Sequence, residues 1–235
     1  MVPVNDKLAT KSKDYLVSKQ SHVLYQAMWE LPAYYRHCEV SKRGLDNELA
    51  TLENDMNQEL SGLNEFEQDS FFREVNDHWI ETAETLPRLQ WYSQLLVVYG
   101  YFEKLLNDIC NEQRAAQNFS LSLKDLHGQG IERARNYLVK VVGLKKVFST
   151  PEWQSIKSIG VLRNCVAHRD GFVDFEPDIP KSIYSKLRKI EGVELRQETM
   201  NQEDAQIYFN EQVVFETLKL FDAFIRNLAA EMESG

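Results

Sequence analysis

Leu45, Leu49, Leu52, Met56, Leu60 and Leu63 recur at steps of three and four, with Glu48, Glu53, Asp55, Glu59 and Glu65 between them. That spacing keeps the apolar side chains on one face of a 3.6-residue helix and predicts one long amphipathic helix. Phe71, Phe72, Val75, Trp79 and Ile80 continue it toward Leu86 and Pro87, with an irregularity near Gln68 to Ser70. A stripe of this length either packs inside a bundle or meets a partner chain. Upstream, Tyr15 to Cys38 is aromatic and helix-compatible, and Pro32 predicts two helical pieces because proline disfavours α geometry in the residue before it.

From Pro87 to about Ala116 the middle of the next helix is apolar nearly all round, which makes it the buried centre of the fold. Glu103 lies within that section, and an ionised carboxylate there is costly unless it is paired or reaches water at the rim. Ile131 to Val142 forms a further helix ended by Gly143. Thr150, Pro151 and Glu152 open another, with a potential cap, an N1 proline and an acid in the first turn; Asp170 and Gly171 stop it. Gly171 to Phe175 reads as extended, Pro177 and Pro180 interrupt helix, and Ile183 to Ile190 supplies a helical turn or two. Val193 to Arg196 and Gln206 to Phe209 pair as a small hairpin, and Asn210 to Met232 is an amphipathic closing helix. The class is all-α: an elongated helical bundle with an N-terminal helical extension over residues 1–85, a helical domain over residues 86–235, and a β-hairpin before the last helix.

At 235 residues and 43% apolar content the chain can bury a sizeable core. Its longest strictly apolar run, Leu95 to Phe102, is far short of the roughly 20 residues that span a bilayer. The first residues lack a signal-peptide core, and Cys38, Cys110 and Cys165 are odd in number and never form a Cys-x-x-Cys pair. These features point to a cytoplasmic protein with no membrane partner, no disulfide framework and no zinc ribbon. His22, His37, His78 and His127 form no metal-ligand spacing, so neither a metal nor a cofactor is expected.

The net charge of −9 argues against general coating of nucleic acid, but the average hides a split. Residues 1–120 carry 11 basic and 19 acidic side chains, residues 121–190 carry 13 and 7, and residues 191–235 carry 3 and 10. A basic third inside an acidic chain either focuses a phosphate toward one site or is an excess of solvated lysines.

Within that third, Arg163, Asn164 and His168 stand at the end of an apolar helical run, Ile159 to Gly171. At 100° per residue Asn164 and His168 share a face, while Arg163 lies about 140° from His168. Two copies crossing here could pool two Arg and two His around one anion, the charge clamp, acid and base that phosphoryl transfer needs. Read structurally instead, His168 gains about 0.3 to 1 kcal/mol from the helix dipole when charged, and Arg163 neutralises Glu103. Cys165 reads as a small packed residue.

The Arg-x4-His spacing, with a polar residue after the Arg, resembles the HEPN superfamily of all-helical domains, many of them metal-independent endoribonucleases that act as dimers. The segment Leu95 to Cys110, with its carboxylate on an apolar face, resembles the second core helix of those domains, so the likeness covers about Leu86 to Phe175. It implies a HEPN-type bundle acting as a homodimer on RNA, with transfer or messenger RNA as substrate, in the manner of a toxin or antiviral-defence nuclease restrained by an antitoxin or companion protein. Arg163, Asn164 and His168 would be catalytic and Glu103 supporting, as a partner for Arg163. Two other readings stay open: a non-catalytic HEPN-like dimeric scaffold that binds a protein or nucleotide, and a helical interaction protein whose Leu45 to Leu63 stripe is the working surface.

Overall fold

The computed structural model describes residues 21–64, 66–72, 81–197 and 203–234. They fall into two compact units that interleave along the chain. The first comprises Met1–Tyr34, Val98–Gly160 and Glu216–Gly235, the second Tyr35–Val97 and Val161–Phe215. Helix dominates, with one small sheet.

Helix α1 (His22–Leu60) runs unbroken through Pro32, contrary to the two pieces its proline suggests. Pro32 forfeits one backbone donor, but Ala27 and Leu31 beside it are buried, and their packing outweighs a single lost bond. The long stripe is in turn interrupted where continuity was expected. Helix ends at Leu60, a turn covers residues 61–64, and a new helical stretch runs over 66–72. Asn64 Oδ1 accepts from the N–H groups of Phe66 and Glu67, while Glu67 Oε2 accepts from the Asn64 N–H at 2.9 Å. This reciprocal cap stabilises a fresh helix start more than continuation through Ser61 and Gly62 would. Gln68 to Ser70 are helical, and Val75, Trp79, Ile80, His78 and the segment from Tyr15 to Gln20 lie outside the described residues.

The first unit contains the 98–117 part of α2 (Leu86–Gln117) and α3 (Gly130–Tyr137), which passes into a π-turn, Leu138–Val142, closed by Gly143 at φ 95°. It also holds the beginning of α4 (Pro151–Arg169) and most of α6 (Glu211–Ser234). Its core is aromatic: Phe102 stacks on Phe221 at 3.9 Å between centroids, and Phe224 meets Phe102, Phe148 and Trp153. Two carboxylates tie chain turns to this core. Glu231 accepts the N–H groups of Lys145, Lys146 and Val147, and Glu112 accepts the Ser21 hydroxyl and the His22 and Val23 amides at the start of α1.

The second unit is built around a three-stranded antiparallel sheet in the order β1 (Phe172–Asp174), β3 (Asp204–Tyr208), β2 (Glu194–Arg196), with α5 (Ile183–Leu187) between β1 and β2 in the chain. The expected hairpin is present, and the extended piece after α4 joins it as a third strand. Val173, Ala205 and Ile207 line up across the sheet on its buried face. The alternate residues Asp174, Asp204, Gln206, Tyr208, Glu194 and Arg196 occupy the other face. No described helix is long and apolar enough to cross a membrane.

Candidate functional site at the end of helix α4

Arg163, Asn164 and His168 all belong to the second unit, on the last two turns of α4, whereas Glu103 belongs to the first. Leu162, Cys165 and Val166 anchor the helix by burial, which leaves Asn164, Ala167 and His168 exposed and Arg163 half-buried. Arg163 Nη1 donates to Asn164 Oδ1 at 3.1 Å, so the two neighbours are joined side chain to side chain. His168 stands one turn beyond Asn164 on the same face. Among the described residues no hydrogen bond from a side chain fixes its ring.

The helix stops where its last turn meets Asp170 at φ 50° and Gly171 at φ 78°. The Gly171 N–H reaches back to the Cys165 carbonyl at 3.1 Å, and its own carbonyl accepts from the Ile207 N–H at 2.8 Å. A Cβ at Gly171 would overlap the Tyr92 hydroxyl, which donates to the Ile207 carbonyl. The left-handed backbone and the close tyrosine both require glycine here. Burial raises the Tyr92 phenol well above its ordinary pKa, with Arg88 pulling the other way, so the group remains a hydrogen-bond donor.

Arg169, the residue after His168, is clamped onto the sheet. Its Nη2 lies 2.6 Å from Asp174 Oδ1 and 3.4 Å from Asp204 Oδ1, and its Nη1 donates to Asp174 Oδ2 at 3.0 Å. The hydrogen bond raises the Arg169 pKa and lowers that of Asp174. This paired fork fixes the direction of the last turn, and with it the placement of His168. Asp174 is near in sequence, but Asp204 is 35 residues from Arg169, a distance over which only strand pairing brings them together. No spacing in the sequence marks Tyr92 or Asp204 as neighbours of this helix end. The one local signal was an arginine directly after the histidine.

Glu103 is half-buried on α2, and its carboxyl group lies 3.5 Å from where a Cβ on Gly130 would stand. Gly130 is the first residue of α3, with φ 54°, so the absent side chain makes room for a carboxylate beside a helix start, whose unpaired N–H groups favour negative charge. The thiols are structural: burial pushes the Cys165 thiol up, Cys38 to about 11 and Cys110 to about 12, and all three are free and buried. A buried thiol held in its protonated form is a packed small side chain and a poor nucleophile. Among the described residues no group of three or more His, Cys, Asp or Glu is placed to hold a metal ion. No protein-family model matches the chain, and neither a curated protein nor a solved structure matches it.

Proposed function

We propose that the chain is a metal-independent, HEPN-type endoribonuclease that works as a homodimer, with Arg163, Asn164 and His168 at the shared site. The observation that carries this reading is the display of Asn164 and His168 on the solvent face of a helix end that is itself rigidly held. A polar pair serving only the core would be buried and satisfied there, whereas this pair is free to meet a ligand or a second chain. In the reaction a 2′-hydroxyl of RNA attacks the adjacent phosphorus. The 2′-O–P bond forms, the 5′-O–P bond breaks, and the products are a 2′,3′-cyclic phosphate and a 5′-hydroxyl. One His168 takes the proton from the 2′-oxygen and the His168 of the second copy gives one to the departing 5′-oxygen, the two proton transfers that the displacement requires. Arg163 offers a planar fork of donors to the charge that builds on the phosphate, and its bond to Asn164 orients that fork.

A second reading has its own support. Among the described residues no carboxylate or carbonyl bonds the His168 ring, a partner that commonly sets the tautomer of a catalytic imidazole, which suits a HEPN-like dimeric scaffold that binds a protein or nucleotide without cutting RNA. Purified chain incubated with RNA in chelator separates the two. The nuclease reading expects cutting that falls by about a hundredfold or more in His168→Ala and Arg163→Ala, the range for loss of a general acid or base. His168→Ala should leave unfolding within about 0.5 kcal/mol of the native chain, because the side chain is exposed. Equal cutting by folded, dimeric variants would remove these residues from the site. A native dimer inert toward transfer and messenger RNA would leave the scaffold.

A further inference from the structure

The polar face of the sheet carries a second constellation that the reaction does not use. A cavity of about 220 Å³ is bounded by Pro87 and Arg88 at the start of α2, Glu194 and Arg196 on β2, Tyr208 on β3, and Asn210. Two guanidinium groups approach the Tyr208 ring: Arg196 sits over it at 4.3 Å from the centroid and Arg88 at 5.8 Å. Arg196 and Tyr208 are oriented by hydrogen bonds. Glu194 Oε2 accepts both Arg196 Nε at 3.0 Å and Nη2 at 2.6 Å, and the Tyr208 hydroxyl donates to Gln206 Oε1 at 3.0 Å. Arg88 has no carboxylate bonded to it among the described residues, so its donors remain available to a ligand.

Planar cations stacked with an aromatic ring, edged by carboxylate and amide groups, make a platform for a nucleobase. The π surfaces hold its face, and the polar rim holds its amino and carbonyl edge. Charge alone does not explain the site, since Glu194 offsets Arg196. This favours base recognition over simple phosphate attraction. The same face leads back to α4: Asp204, which clamps Arg169, and Tyr208 are four residues apart on one side of β3, about 13 Å along the strand. Tyr92 makes the connection stiff, because it lies one helical turn after Arg88, bonds the carbonyl preceding Tyr208 and packs against Gly171.

We infer that the Arg88–Tyr208–Arg196 cavity binds one unpaired base of a single-stranded RNA. The inference rests on the ribonuclease reading for its substrate, and its test avoids cleavage. A fluorescent single-stranded oligonucleotide with a 2′-O-methyl group on every sugar has no 2′-hydroxyl to attack, so anisotropy reads binding alone. The full chain should bind it, and Arg88→Gln/Arg196→Gln and Tyr208→Leu should each weaken binding about fivefold or more, as expected for loss of a base stack, with unchanged circular dichroism. Native affinity in these folded variants would overturn the inference, as would failure of the native chain to bind the strand. Capture of free AMP, GMP, CMP or UMP in the cavity with no strand binding would also overturn it, in favour of a mononucleotide site. Loss of strand binding in the cavity variants, alongside a native chain that cuts no ordinary RNA, would sustain the cavity and remove the nuclease.

Discussion

The two units hold themselves together by different means. In the first, large rings fill space: Phe102, Phe221, Phe224, Phe148 and Trp153 form one connected aromatic core, and carboxylates such as Glu231 only pin the turns around it. In the second, the decisive features are backbone geometry and hydrogen bonds, namely a three-stranded sheet, two successive left-handed residues at the end of α4, and a tyrosine hydroxyl fitted against a glycine. Side-chain volume can be lost gradually, whereas a special backbone conformation is either available to a residue or is not. The second arrangement therefore aims particular side chains, and the polar groups of α4 are found there.

The contrast predicts graded effects. Phe224→Ala should be the most damaging, at about 3–5 kcal/mol, because a fully buried ring leaves a cavity its neighbouring rings cannot fill. Chemical denaturation reads this directly, and a loss below about 1 kcal/mol would mean the aromatic core is not what stabilises the first unit. Gly171→Ala removes no volume yet should cost about 2–3 kcal/mol, from left-handed strain and displacement of the Tyr92 hydroxyl. Combining it with Tyr92→Phe should cost less than the sum of the single variants, because both act on one contact. Strict additivity would show that the glycine serves the backbone alone.

Glu231→Gln is the mildest, at about 1 kcal/mol near neutral pH. Burial raises the Glu231 pKa, but donation from Lys146, Val147 and Lys145 outweighs it, so the folded-state value lies below the ordinary carboxylate value. A depressed pKa stabilises the fold above the unfolded-state pKa of about 4.3, and that stability is lost as pH falls through the folded value. The native chain and the Gln variant should therefore differ most at neutral pH and converge in acid. A gap that persists unchanged at pH 3 would refute the ionic role of this carboxylate.

Much was legible because it is local. Steps of three and four marked the second half of α1, an all-round apolar run marked α2 and an amphipathic pattern marked α6; Thr150 and Pro151 opened α4, and Asp170 and Gly171 closed it, since each feature depends on residues within a turn or two of one another. Arg163, Asn164 and His168 stand out in the sequence as polar groups in an apolar run, and they lie on the last two turns of α4. Pro32 misled because the burial of Ala27 and Leu31 that outweighs its lost bond is a property of the folded chain. The cap at Asn64 and Glu67 was written locally but was overshadowed by the longer apolar stripe.

What the chain by itself determined is therefore where most of its helices lie, and that Arg163, Asn164 and His168 share the end of one of them. Tertiary structure alone decided how that end is held and what stands with it: Asp204 reaching Arg169, Tyr92 meeting Gly171, and Arg88 and Arg196 meeting over Tyr208. The physical reason is range. Helical period and capping act over a few residues, while these contacts join segments a dozen or more positions apart in the chain and exist only once the chain has folded.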